Sequence, residues 1–148
     1  MLSVEMQNLI TTYTAGMVAT VNADGTPAVS PKATFVVVDE RAIAFGNIRS
    51  PLTLANIRRH PPVEVCFLDV LTRKAVRVRG SASIHKKDTP DTAMAGAFNR
   101  IWGEYLDQMS HFVRIDISKA ELIISPAYDN GASEAQLRQI NLDKLNNL

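Results

Sequence analysis

Residues Gly16 to Asn47 read GMVATVNADGTPAVSPKATFVVVDERAIAFGN. Three runs rich in Val, Ile, Phe and Thr lie here, at Gly16 to Asn22, Pro27 to Asp39 and Arg41 to Asn47, and only a few residues connect them. Asp24-Gly25 supplies a turn in which glycine accepts positive φ without strain. Asp39-Glu40-Arg41 is too short to hold the crossover helix that parallel neighbours require. The first three strands therefore run antiparallel, which excludes a doubly wound parallel sheet.

Working outward, Val63 to Asp69 and Ala75 to Lys86 read as a fourth and fifth strand. Val113, Ile115 and Ile117 alternate with Arg114, Asp116 and Ser118, giving a sixth, continued by Leu122 to Ile124 after a kink at Lys119-Ala120. Met6, Leu9, Ile10 and Tyr13 have the i, i+3, i+4, i+7 spacing of a short opening helix. Ser50 is a good N-cap, Pro51 suits the first helical position, and Pro61-Pro62 stops that helix by His60. Asp88 to Met109 reads as the largest helix, capped by Asp88, with Met94, Ala97, Phe98, Ile101, Trp102, Tyr105 and Leu106 on one face. The polar stretch 133–148 has only Leu137, Ile140 and Leu145 as apolar anchors and is helical or ordered by a partner. Six antiparallel strands with short connections favour a closed or nearly closed barrel, because closure removes exposed edges. The 148 residues match one domain of about 150, spanning 1–148.

Hydrophobic residues make up 46% and charged residues 21%, a globular balance. The net charge of +1 is too small for a polybasic nucleic-acid or membrane binder acting through total charge. Charge is unevenly placed, however: Pro31 to Lys87 holds eleven basic residues against four acidic ones, so the middle of the chain is suited to an anion. Cys66 is alone and cannot form an internal disulfide. No basic-then-apolar leader and no membrane-length apolar run are visible, so a soluble protein of the reducing cytoplasm is expected.

There is no G-x-G-x-x-G, Walker loop, H-E-x-x-H or C-x-x-C. His60, His85 and His111 are scattered, and no metal site is expected. Arg49-Ser50-Pro51-Leu52-Thr53 is the informative segment, because the first turn of a helix presents unpaired N–H groups and the positive end of the dipole to a phosphate. Arg49 adds a bidentate donor, and Ser50 and Thr53 add hydroxyls. In the second strand Ser30, Lys32 and Thr34 share one face, placing a lysine in mid-strand where it needs a reason. Arg77 and Arg79 read as a solvated outer face.

Several segments occur in the order seen in one known family: Gly16 to Pro27, Ser30-Pro31-Lys32, Ile43-Ala44-Phe45-Gly46-Asn47, Arg49-Ser50-Pro51, Asn56-Ile57 to Pro62-Val63, and Lys74 to Gly80. Over about residues 5 to 125 the chain resembles the pyridoxamine 5′-phosphate oxidase-related FMN-binding split-barrel proteins. The resemblance implies a mainly β fold with helices, a six-stranded antiparallel split β-barrel, and a homodimer with FMN in clefts at its interface. It implies that Lys32, Ala33 and Thr34 line the flavin ring and phosphate side. Asn47, Arg49, Ser50 and Thr53 would hold the phosphate and ribityl chain, and Lys74 would come from a neighbouring region or the partner subunit. True pyridoxamine phosphate oxidases resemble Ser-Arg-Lys where Ser50 is followed by Pro51-Leu52, and Gln near Ala75. They also carry a C-terminal Trp and Arg with no counterpart in Ala132 to Leu148. The expectation is an FMN-dependent oxidoreductase acting with a small-molecule electron donor or acceptor, but not on pyridoxamine phosphate. Haem- or deazaflavin-binding relatives and a flavin binder without turnover are the alternatives. Nucleic acid is not expected, since Trp102 and Tyr105 lie on an apolar helix face instead of interleaving with the basic residues.

Overall fold

The computed structural model describes residues 1–148. Its chain order is α1 (Val4–Thr12), β1 (Gly16–Val21), β2 (Pro27–Lys32), β3 (Phe35–Asp39), β4 (Ala42–Asn47), α2 (Pro51–Arg59), β5 (Pro62–Asp69), β6 (Lys74–His85), α3 (Thr92–Trp102), β7 (His111–Ile124) and α4 (Glu134–Asn146). One sheet holds all strands in the order β2-β1-β5-β6-β7-β4-β3, and every pairing is antiparallel. The two edge strands are consecutive in sequence, so the sheet curls round until its edges approach. They do not pair with each other, which leaves the barrel split along that seam.

The expected single strand from Pro27 to Asp39 is therefore two strands, and the sheet has seven strands where six were expected. The break falls at Ala33-Thr34, where alternation slips: Lys32, Thr34 and Phe35 are buried and Ala33 is exposed. The Thr34 hydroxyl donates to the Gly46 carbonyl at 2.7 Å and accepts from the Gly46 amide at 3.1 Å, pinning the corner to β4. The kink expected in the last strand is a bulge inside one long strand. Arg79 faces Lys119 but Gly80 faces Ile117, leaving Ser118 unpaired, and the Ser118 hydroxyl bonds the Arg79 carbonyl at 3.1 Å.

The third helix starts later than expected. Asp91, not Asp88, caps it, accepting from the Met94 amide at 3.0 Å, because the carboxylate must sit three residues before the amide it satisfies. Past Trp102 the backbone tightens into a 3₁₀ turn over Gly103–Gln108, and Ile101, still within α3, and Tyr105 of the expected apolar face both stay exposed. The tail is helical, with a Ser133–Gln136 capping box. Its main anchor is not Ile140 or Leu145, both exposed, but the buried Asn141. Asn141 donates to the Leu71 carbonyl at 2.8 Å and accepts from Arg73 at 3.3 Å.

The main core fills the barrel, where Phe67 meets Phe35 edge-on at 4.8 Å among Val18, Ile43, Val65, Val78 and Ile115. A second core lies under α3, where Phe98 stacks on Phe112 at 4.2 Å. Gly80 is required by the bulge: a Cβ there would lie 2.3 Å from the Asp116 carbonyl oxygen. Gly80→Ala should destabilise the protein by about 1–3 kcal/mol in urea unfolding. Gly96→Ala, in α3 with open space around it, should be neutral or stabilising by up to about 1 kcal/mol.

Candidate functional site

The N-terminus of α2 opens onto a groove of about 310 Å³ formed with β1 and β2, lined among others by Ser30, Arg49, Ser50 and Thr53. Ser50 occupies the N-cap position, but its hydroxyl turns back and donates to the Arg49 carbonyl at 2.6 Å. The first helical bond is Leu54 N–H to the Ser50 carbonyl at 3.1 Å, so the Leu52 and Thr53 amides have no protein partner. Arg49 is exposed and pairs with no carboxylate. The positive end of the dipole, two open amides, one unpaired guanidinium and two hydroxyls thus converge on one groove.

Lys32 does not line the groove itself but stands behind it, its ammonium donating at 2.5 Å to the hydroxyl of Ser30, which does line it. It is only 8% exposed and has no carboxylate partner, and burial lowers its pKa below the ordinary lysine value. A buried cation without a counter-ion costs stability and suits a site whose anion is a ligand. Asn47 is buried at the end of β4. Its amide nitrogen donates to the Ser110 hydroxyl at 3.0 Å, while its Oδ1 has no partner. The Thr34 hydroxyl is spent on Gly46, and Ala33 is an exposed hinge residue, so at these two positions only backbone groups remain for a ligand.

Lys74 lies elsewhere in the chain. It stands three strand positions from β2, about 14 Å at the usual strand spacing. There it is held by Glu5 at 2.9 Å and Glu134 at 3.4 Å, contacts that raise its pKa, with Glu5 the larger cause. Arg77 pairs with Glu121 at 2.8 Å on the outer face, and Lys119 and Arg77 together hold the Glu121 carboxyl down at about 2. Burial pushes the Cys66 thiol up, which disfavours the thiolate that a nucleophile needs. Asn56 was missed by sequence reasoning. It is 1% exposed, donates to Thr20 and Asn22 at 3.0 Å each, and accepts from Arg59 at 2.8 Å, so it fixes α2 against β1. Its position three residues after Thr53, one turn along the same helix face, was the available signal.

A split antiparallel barrel with a polar, cation-lined groove at a helix start defines the class. Residues 2–127 match the family model for pyridoxamine 5′-phosphate oxidase, and the chain belongs to that family. No curated protein matches it. Among solved structures it is similar to HupZ of Group A Streptococcus, with a TM-score of 0.72 and 23% identity over 84% of this chain and 96% of that one. A candidate pyridoxamine 5′-phosphate oxidase of Lactobacillus delbrueckii aligns with a TM-score of 0.66 and 26% identity, covering 81% and 93%. HutZ, the haem storage protein of Vibrio cholerae, aligns with a TM-score of 0.66 and 19% identity, covering 81% and 92%.

Two stability measurements check the site's geometry. Ser50→Ala should leave apo stability within about 0.5 kcal/mol of wild type, because the hydroxyl caps nothing; a loss near the roughly 1 kcal/mol of an N-cap would contradict its placement. For Lys32 the folded pKa is depressed, so the unfolded chain takes up a proton that the folded one releases, and stability rises with pH through that window. Lys32→Met should therefore be more stable than wild type at neutral pH, with the difference narrowing as pH approaches the ordinary lysine value. Urea unfolding across the pH series reads this directly.

Proposed function

We infer that the protein binds FMN through the α2 groove and works as a flavin-dependent oxidoreductase on a small molecule, as a homodimer. The observation that carries the reading is the uncapped first turn of α2, where the Leu52 and Thr53 amides and the unpaired Arg49 share one concave surface. The residues fit a phosphate-bearing cofactor: Arg49 and Lys32 lack carboxylate partners, and the unspent Asn47 Oδ1, an acceptor that suits a ligand hydroxyl and not the phosphate itself, would serve the ribityl chain. Arg49 would grip the phosphate with two parallel N–H donors, and the Thr53 hydroxyl would complete its shell, joined by Ser50 once its hydroxyl turns from the Arg49 carbonyl. Lys32, reaching the groove through Ser30, would add a desolvated positive charge near the ligand, which favours electron-rich forms of whatever is bound there. Bound FMN supplies reversible electron transfer, and the chain supplies orientation, shielding and charge. Lys74 would enter the cleft from the partner subunit, with the Glu5 and Glu134 contacts exchanged for the ligand. Pro51-Leu52 and Ala75, standing where true oxidases of pyridoxamine phosphate resemble Arg-Lys and Gln, argue against that substrate.

The absorption spectrum of the purified protein separates the cofactor readings. Flavin bands are expected; a Soret band would replace this reading with haem binding, and deazaflavin absorption with the third reading. FMN should bind at least about tenfold more tightly than riboflavin, since charge-assisted phosphate contacts contribute roughly 1.5–3 kcal/mol each. In titrations of apo protein, Arg49→Ala should weaken FMN binding by about 1–3 kcal/mol, and Arg77→Ala should leave it nearly unchanged. Equal losses that both vanish with added salt would show that anions are attracted only diffusely. Light scattering at micromolar concentration with FMN present should give a dimer, and a monomer would remove the interface cleft from the reading.

A further inference from the structure

A second cavity, of about 440 Å³, lies where the last turn of α2 and Pro61 meet the end of β6 and the start of β7. Arg58, Ser83, Lys86 and His111 supply its polar lining beside apolar Ile57 and Ile84, and no acidic residue reaches it. The cavity is of a size usual for small-molecule sites, about 300–1,000 Å³.

The charge pattern of the whole chain makes this cavity unusual. Most basic side chains are spent: Lys74, Arg77, Arg79 and Arg114 each reach carboxylates, Arg59 bonds the Val21 carbonyl and Lys87 the Leu106 carbonyl. Arg49, Arg58, Lys86, Arg100 and Lys144 are left with no protein hydrogen bond or ion pair. Two of these, Arg58 and Lys86, come from distant parts of the sequence to line one concavity. His111 adds an independent observation, since its Nδ1 is buried with no hydrogen-bond partner. Buried polar groups left unpaired in protein are uncommon and call for a partner.

Like charges gathered in one concavity repel unless something negative lies between them. We propose that this cavity is a second anion site, taking the dianionic phosphate of a phosphomonoester. Arg58 offers a planar, two-pronged grip, Lys86 a point charge and His111 a ring donor. Its Arg58 end lies at the opposite end of α2 from the groove described above, about 13 Å away along a nine-residue helix, while His111 pairs across the sheet with Asn47. The cavity faces β6 and β7, whereas the groove faces β1 and β2. The proposal does not rest on the flavin reading.

The test titrates the full-length protein with inorganic phosphate at constant ionic strength and fixed pH, following the His111 imidazole cross-peak by NMR, with and without saturating FMN. A saturable shift is expected in both arms, in wild type and in Arg49→Ala alike. Arg58→Gln and Lys86→Gln, both at exposed positions, should each weaken phosphate at least tenfold. Absence of a saturable shift, an equal response to acetate, or unchanged affinity in both variants would overturn the site. Loss of the phosphate response on FMN saturation would also overturn it, by making the cavity part of the flavin cleft. If FMN itself does not bind, the FMN-free arm still decides.

Discussion

Two residues, Ala33 and Thr34, join strands that form opposite edges of a seven-stranded sheet. Laid flat, that sheet would be about 29 Å wide at a strand spacing of about 4.8 Å. The chain from Lys32 to Phe35 covers three Cα–Cα steps, about 11 Å at most. The sheet must therefore curl until its edges come within that reach, whatever its residues prefer locally. The Thr34 hydroxyl, bonded twice to Gly46, holds the corner against β4. Because the corner ends β2 at Lys32, it also settles where that buried ammonium sits. The barrel and the cationic side of the groove thus depend on one short linkage.

Covalent closure without hydrogen-bonded closure leaves a seam, and helices manage what the seam and the barrel ends expose. Buried Asn56 ties α2 to Thr20 of β1 and to Asn22, so the open first turn of α2 is held beside β1, with β2 lining the other side of the groove. The polar tail packs as α4 through Asn141 and Arg73, placing Glu134 on Lys74 from one side while α1 places Glu5 on it from the other. These are exposed or half-exposed contacts, individually of small energetic worth. Their effect is to assign a position to a lysine that would otherwise sample many.

The basic excess of the middle segment shows why net charge is a coarse guide to a binding surface. Arg77 and Arg79 lie on a strand face and find Glu64 and Glu121 on the neighbouring strands, so they contribute little field beyond that face. Arg49, Arg58 and Lys86 contribute to the surface because nothing of opposite sign is placed beside them. Local pairing, more than the segment total, decides where an anion is welcome.

Local signals in the sequence determined the antiparallel strands, the short α2 with its proline start and diproline stop, and the outward turn of Arg77 and Arg79. Each rests on contacts between residues near in sequence or on a period of two, which a single segment carries whole. The anion-facing character of Arg49 to Thr53 was legible for the same reason, since the open amides belong to the helix start itself. Only the tertiary structure decided the rest. The break at Ala33-Thr34 comes from pairing with two strands on opposite edges, and the Ser118 bulge from matching β7 to β6 across Gly80. The cap of α3 is Asp91 and not Asp88, since the helix starts at Thr92 and the carboxylate bonds the Met94 amide. The meeting of Arg58, Lys86 and His111 belongs to this second group. Residues far apart in sequence become neighbours only through strand register, and register is set by long-range pairing that no local stretch contains.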